Sequence, residues 1–427
     1  MRVLVAGGAG LLGAALVRRL AAAGHTVILA GRAHGGADGD SATLALDYTA
    51  PPAHAALVER LRGVDTVVNA VGIFREKGKQ SFDAVHVKGP LALFHAAVEA
   101  GVPRIVQISA LGADPGANEE FLASKGRADA QALALPVSVR VVRPSLVFAP
   151  EGASTRQFAR WADLPLTPLP GDGRQRIQPI HIDDIAALLE CLAVDNEAPA
   201  MTAAVGPRPL ELREYLDMFR RAFARRSAFL SVPLPLLRRM LSWAGRMRGG
   251  LASADALAML ERGNTADPSA LRVFLRRPLR DPATFFDRRA AHGLAMHVRH
   301  LRYLVLMRWA LAAMWLGTAW VSLFAYPRAA SHALLARLGL HGDWADLALW
   351  SGALLDAVLG LALLVLRRRR GIYRAQLALV LAYTLLISIG LPEFWWHPFG
   401  PLLKNIPLLA MILVLHALDR PDGSDPR

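Results

Sequence analysis

Short apolar runs alternate with segments of helical period through the first 144 residues. Residues 2–6, RVLVA, form an apolar run that ends in glycines, and a helical pattern follows to Ala23. HTVILAG, 25–31, reads as a second buried strand, with Gly24 closing the helix before it. The alternation continues with ATLAL at 42–46, a helix at 53–62, DTVVNAVG at 65–72 and a helix at 81–100. RIVQISA at 104–110, a helix at 119–134 and SVRVVRP at 138–144 complete it. Strands separated by helices of this length predict right-handed βαβ units and an α/β fold with a doubly wound parallel sheet over residues 1–150.

The pattern changes twice further on. Residues 151–300 have turn signals around a short strand, then a helix, then Arg-rich, mostly helical sequence, which predicts a small substrate-side lobe with a helical extension. From 301 to 420, four hydrophobic stretches (303–325, 344–366, 372–391 and 402–418) each approach the ~20 residues needed to cross a bilayer. Arg299 and Arg302 precede the first stretch, and Arg367 to Arg370 with Arg374 crowd the loop between the second and third. The alternate loops hold only Arg328 and Arg337 in one and Lys404 in the other. This asymmetry predicts a four-helix transmembrane bundle with the nucleotide domain and both termini in the cytoplasm, at the inner membrane. Trp344, Trp350, Trp395 and Trp396 fall near span ends, where interfacial aromatics sit. Residues 421–427 are a polar tail.

Composition sharpens this picture. The chain has 427 residues, 53% of them hydrophobic, a length that calls for more than one core. The formal charge of +14 comes mostly from arginines scattered through alanine-rich sequence. Without an aromatic-interleaved basic stripe this charge does not point to nucleic acid; a membrane surface is the better partner. The single cysteine, Cys191, excludes an intramolecular disulfide and a cysteine-based zinc site, and no metal is expected. The first residues are too short an apolar run, and too quickly glycine-rich, for a signal peptide.

Chemistry concentrates first at VAGGAGLLGAAL. Gly7 permits a tight turn, Gly10 lets a pyrophosphate approach the backbone, and Gly13 allows close helix–strand packing. The helix that begins here, with Leu12 in its first turn, supplies free N–H groups for phosphate. The motif opens a βαβ array, the context a dinucleotide site requires. At the end of the second strand, where an acid would favour NAD, stands Gly31-Arg32. A guanidinium pairs with a 2′-phosphate, so NADP(H) is expected in preference, with NAD(H) as the other option. Asp47 closes the third strand and is either an adenine contact or a turn residue.

These glycines, with NAVGIF at 69–74, VPRIVQISALGA at 102–113, VVRPSLVFAPEG at 141–152 and IQPIHIDDIA at 177–186, resemble an extended or atypical short-chain dehydrogenase/reductase. The similarity covers about residues 1–290 and is nearest the group containing the NADPH-binding accessory subunit of respiratory complex I. The C-terminal PEFWWHPFGPLLKNIPLLAMILVLHALD, 392–419, resembles the DoxX-like membrane domain, whose relatives are associated with quinone chemistry. By this resemblance Gly7, Gly10 and Gly13 form the phosphate loop, Arg32 the 2′-phosphate site and Asp47 the adenine site. Asn69 and Ala70 touch the cofactor, Ser109 is the active-site serine, Lys125 holds the nicotinamide ribose, and Pro144 flanks the nicotinamide.

One position departs from the pattern. Four residues before Lys125, where the family's proton-donating tyrosine belongs, stands Phe121, which has no ionisable group. Tyr48 and Tyr215 are the nearest tyrosines in sequence, and neither is placed to replace it. The membrane segment adds Asp356, expected to pair with Lys404 or Arg308, and a group of His397, Lys404 and Asn405. Two functions follow. One is a membrane-anchored NADP(H)-binding protein with a structural or redox-sensing cofactor near a quinone pool, associated with a respiratory or membrane complex. The other is an active oxidoreductase on a quinone or lipid-like substrate.

Overall fold

The structure is a computed structural model, and it describes residues 1–32, 43–195, 199–225, 228–248 and 254–419. The chain divides into two compact units, Met1–Val298 and Arg299–Arg427.

In the first unit, strands β1 (Arg2–Ala6), β2 (Thr26–Gly31), β3 (Thr43–Ala45), β4 (Thr66–Asn69), β5 (Arg104–Ile108) and β6 (Ser138–Pro144) join a seventh, Met201–Ala204. Their order is β3-β2-β1-β4-β5-β6 and then Met201–Ala204, and every neighbouring pair is parallel. β4 and β5 are buried along their whole length, as expected of strands covered on both faces. The seventh strand was not marked by the hydrophobic pattern, because MTAA is short and weakly apolar. Of the 42–46 run, Thr43–Ala45 pairs with β2, and Ala42 lies outside the described residues.

Helices α1 (Leu11–Ala22), α2 (His54–Leu61), α3 (Gly89–Glu99) and α4 (Glu120–Leu133) connect the strands. One core joins the sheet to α2, α3 and α4 through Leu57, Leu61, Leu93, Phe94 and Ala128; the other joins it to α1 and to Ile182–Val194 through Leu16, Leu20, Ile185 and Leu189. Gly24, with φ +79°, ends α1 in the left-handed conformation that glycine adopts without a Cβ penalty. The helix expected at 81–100 instead begins with a widened π-type turn, Asp83–Lys88. The second lobe lies within this unit and has its own core around Phe148, Tyr215, Phe219 and Phe285.

In the second unit, three of the four expected spans are helices of full crossing length and the fourth is a shorter apolar helix. Arg288–Trp320 with its continuation to Ala325, Asp343–Val365 and Arg370–Gly390 are long and apolar enough to cross a membrane. The fourth stretch forms a helix only over Asn405–Leu418, 14 residues. Pro407 accounts for this start: proline is tolerated in the first turn of a helix and not deeper within it. The core is built from Leu311, Trp315, Leu359, Leu363, Val380, Ile412 and Leu415. Asp356 is buried, and its Oδ1 has no hydrogen-bond partner among the described residues; it forms no ion pair there with Lys404 or Arg308. Asn405 donates to Thr384 Oγ1 at 2.8 Å, while His397 Nδ1 accepts the Phe399 N–H at 3.3 Å. The tail at 421–427 lies outside the described residues.

Candidate functional site

The strand order reverses between β1 and β4, and their C-terminal ends frame the crevice in which such sheets bind ligands. Gly7 leaves β1 with φ +79°, donating to the Ala30 carbonyl at 2.8 Å, and its own carbonyl accepts the Gly10 N–H at 2.9 Å. A Cβ on Gly7 would lie 3.0 Å from the carbonyl carbon of Ala70, which places the turn against the end of β4. A Cβ on Gly13 would lie 2.2 Å from the Gly7 carbonyl oxygen, so only glycine lets α1 approach its strand this closely. Gly10 caps α1, and the first-turn amides of Leu11, Leu12 and Gly13 follow it. The Leu12 side chain packs against the α1-side core.

Arg32 is exposed just past β2. Asp47 accepts from the Thr49 N–H at 2.9 Å and the Thr49 hydroxyl at 2.8 Å. These bonds, helped by the positive charges of Arg32 and Lys79, hold its carboxyl below the usual range. The structure thus brings Arg32 and Asp47 to one end of the crevice and gives Asp47 a turn-forming role.

At the other end, Lys125 is buried, its Nζ donating to the Ile108 carbonyl at 3.0 Å. Burial brings its pKa down to about 8. A Cβ on Gly72 would lie 3.4 Å from Lys125 Nζ and 3.8 Å from His86 Nε2, so the chain after β4 runs past both groups. His86 went unremarked in the sequence. Its Nε2 accepts from the Ile73 N–H at 3.1 Å and its Nδ1 lies 2.9 Å from Ser124 Oγ, which donates to the Phe121 carbonyl at 3.0 Å. This network assigns the proton to Nδ1. Burial, with the neighbouring Lys125 charge, pushes the His86 pKa down to about 3, so the ring is neutral at physiological pH. The signal for it is faint: a polar residue between Val85 and Val87 in the 81–100 helix.

Asn69 and Ser109 are both hydrogen-bonded within the protein. Asn69 Oδ1 accepts from the Tyr48 hydroxyl at 2.9 Å and the Val71 N–H at 3.1 Å, and its Nδ2 donates to Gln107 at 2.7 Å. Its side chain therefore braces the strand end. Ser109 donates to Asp129 Oδ2 at 2.7 Å, and the same oxygen is paired with Arg143 at 2.9 Å. Burial raises the Asp129 carboxyl while Ser109 and Arg143 oppose it. Pro144 ends β6, and its carbonyl accepts the Leu111 N–H at 2.9 Å.

Phe121 belongs to an aromatic wall. Its ring stacks on Phe74 with centroids 5.0 Å apart and meets His86 at 5.6 Å and Phe82 at 6.1 Å edge-on. Phe74 is 73% exposed, so the wall has an open side. Neither tyrosine replaces the missing phenol. Tyr48 is held by Asn69, and Tyr215 is packed edge-on between Phe158 and Phe219 in the second-lobe core. Burial raises both phenols far above their usual range.

Residues 3–203 match the NAD dependent epimerase/dehydratase family and residues 312–413 the DoxX-like family. The chain thus joins an epimerase-type, short-chain dehydrogenase/reductase-like domain to a DoxX-like domain. Within that class it is homologous to the accessory subunits of complex I. It is 27% identical over 277 residues to the mitochondrial NADH-ubiquinone oxidoreductase 40 kDa subunit of Neurospora crassa, covering 62% of this chain and 72% of that one. It is also 27% identical over 186 residues to the mouse mitochondrial NADH dehydrogenase [ubiquinone] 1 alpha subcomplex subunit 9, covering 43% of this chain. The match spans about half of the mouse protein, 48% of its length. Among solved structures, MoeE5 in complex with UDP-glucose and NAD shares the fold, with a TM-score of 0.52 at 20% identity over 71% of this chain and 99% of that one.

Proposed function

We propose that this chain is a membrane-anchored NAD(P)(H)-binding protein whose nucleotide, NADPH in preference to NADH, has a structural or redox-sensing role near the quinone pool. The observation that carries this reading is the contrast between the two ends of the crevice. The phosphate loop is complete, down to a glycine whose replacement would collide with backbone. The position of the proton donor holds a phenyl ring locked among Phe74, Phe82 and His86.

The residues fit a dinucleotide. Gly7, Gly10, Leu12 and Gly13 would hold the pyrophosphate through backbone amides, Arg32 the 2′-phosphate, Asp47 the adenine end, Lys125 the nicotinamide ribose, and Ala70 and Pro144 the walls. A bound nicotinamide supplies hydride chemistry. Against it this chain sets a lysine near neutrality, a neutral imidazole and an apolar wall. It sets no acid at Phe121 to give a carbonyl oxygen its proton. The kinship with complex I subunits supports a respiratory or membrane complex as partner, and the arginine-rich loop at 367–374 supports the inner membrane with both termini in the cytoplasm.

The retained Lys125 favours one second reading, an oxidoreductase that acts on a quinone or lipid-like acceptor without the usual tyrosine. Purification in detergent, release of bound nucleotide and its analysis separate the readings, followed by oxidation of added NADPH with quinone analogues. Co-purifying NADPH that quinones do not oxidise supports the binding role. Rapid quinone-dependent oxidation supports the second reading, and absence of any nucleotide binding overturns both.

A further inference from the structure

The second lobe of the first unit turns large apolar side chains outward on two adjoining elements. Strand Ala228–Val232 pairs in parallel with Leu166–Pro170, Leu166 opposite Ala228 and Pro168 opposite Leu230. Leu166 and Leu230 therefore share a face of this ribbon, and they are 49% and 47% exposed. The helix Leu234–Arg248 follows directly. Its Leu234, Leu237 and Leu241 are partly buried, Leu234 lying 3.7 Å from the Cβ position of Gly171. Leu236 and Met240, one turn apart on another face, are 51% and 56% exposed. The sequence continues that spacing with Trp243 and Met247.

The charge of this region is one-sided. From Met218 to Ala254 the sequence has eight arginines and neither Asp nor Glu, and four of the arginines, Arg238, Arg239, Arg246 and Arg248, belong to the helix itself; Arg221, Arg225 and Arg238 pair with acids outside this stretch, Asp217, Asp163 and Glu261. The exposed Leu236 and Met240, on a helix whose sequence is rich in arginine and includes a tryptophan, have the composition of a helix lying in the plane of a membrane interface. The same chain carries three helices long enough to cross a bilayer, so a membrane is at hand. A second copy of this face would bring positive charge against positive charge, whereas anionic headgroups complement it.

We propose that Leu234–Arg248, with the ribbon face of Leu166 and Leu230, is an interfacial membrane contact that selects anionic lipid. The full chain, carrying Cys191→Ser, is reconstituted in vesicles of phosphatidylcholine with or without phosphatidylglycerol. A bimane probe is placed at Met240→Cys, at Leu236→Cys and, as a control on another exposed helix, at Ala270→Cys. The two helix probes are expected to be quenched by nitroxide on the acyl chains and to be several-fold less accessible than Ala270 to aqueous acrylamide. Lipid quenching should fall when phosphatidylglycerol is left out. Acrylamide access equal to the control would overturn the proposal. So would exclusion of both quenchers, which would mean that protein covers the face. Lipid quenching that does not depend on phosphatidylglycerol would overturn the selection of anionic lipid.

Discussion

The Cβ that Gly13 lacks would stand 2.2 Å from the carbonyl oxygen of Gly7. That contact ties the first turn of α1 to the turn leaving β1, and no side-chain rotation can relieve it, because the colliding atom is backbone. Gly13→Ala must therefore move the loop or the helix. The expected result is a stability loss of about 1–3 kcal/mol, the usual cost of overpacking, together with loss of measurable nucleotide binding. Thermal unfolding and titration with NADPH in the same detergent check both.

Cofactor choice is expected to depend on Arg32. Replacing it with Asp sets a carboxylate against the 2′-phosphate and next to Asp47. A charge-paired phosphate contact of about 1.5–3 kcal/mol makes the expected fall in NADPH affinity roughly ten- to a hundred-fold, with NADH binding spared or improved. An unchanged NADPH/NADH ratio in equilibrium binding would make Arg32 a surface residue only.

Wild-type protein is expected to reduce small aldehydes and ketones barely above background. Phe121→Tyr adds one hydroxyl to a partly buried ring whose partner Phe74 is open to solvent. A positioned proton donor is worth ~10²–10⁴-fold in rate, so a measurable gain is expected from this substitution. High activity in the wild type would end the binding-protein reading. No gain, with NADPH still bound, would show that the site has diverged beyond one residue.

Lys125 makes stability depend on pH in a defined direction. Its pKa falls from 10.5 to about 8 on burial, equivalent to about 3 kcal/mol. Below pH 8 the amine is charged in both folded and unfolded chains, and the whole cost weighs against the fold. Between pH 8 and 10.5 the unfolded chain holds more protons, so stability rises with pH, and above 10.5 the cost is gone. Denaturant unfolding of the nucleotide-free protein should show wild type gaining about 3 kcal/mol on Lys125→Met across this window. Parallel profiles would show that the ammonium keeps its water in the fold.

Topology can be read by labelling from outside intact cells. On a Cys191→Ser background, a cysteine at Ala329, exposed at the start of the helix Arg328–Arg337 that follows the first span, should react with a membrane-impermeant maleimide. One at Ser424 should react only after lysis. The reverse accessibility would invert the anchor.

The alternation of buried runs and helices by itself determines the α/β class, the parallel sheet and the glycine turn. The reason is physical: a strand covered on both faces must be apolar throughout, and a phosphate turn must be glycine where backbone meets backbone. The stretches of apolar sequence after residue 300 marked the membrane segment equally well. Helix length within it was decided locally, by Pro407. Side-chain allegiance was decided only in three dimensions. Ser109 could face the cleft or Asp129, and Asn69 a cofactor or Tyr48, because each choice depends on partners 20 or more residues away. His86 gains its meaning from Ile73, Ser124 and Lys125, which folding brings around it from a loop and a helix. Asp356 shows the converse: the sequence offered Lys404 and Arg308 as partners, and the packing of the bundle leaves its carboxylate oxygen with neither. Periodicity is a property of the chain, whereas the pairing of a polar group is a property of the fold.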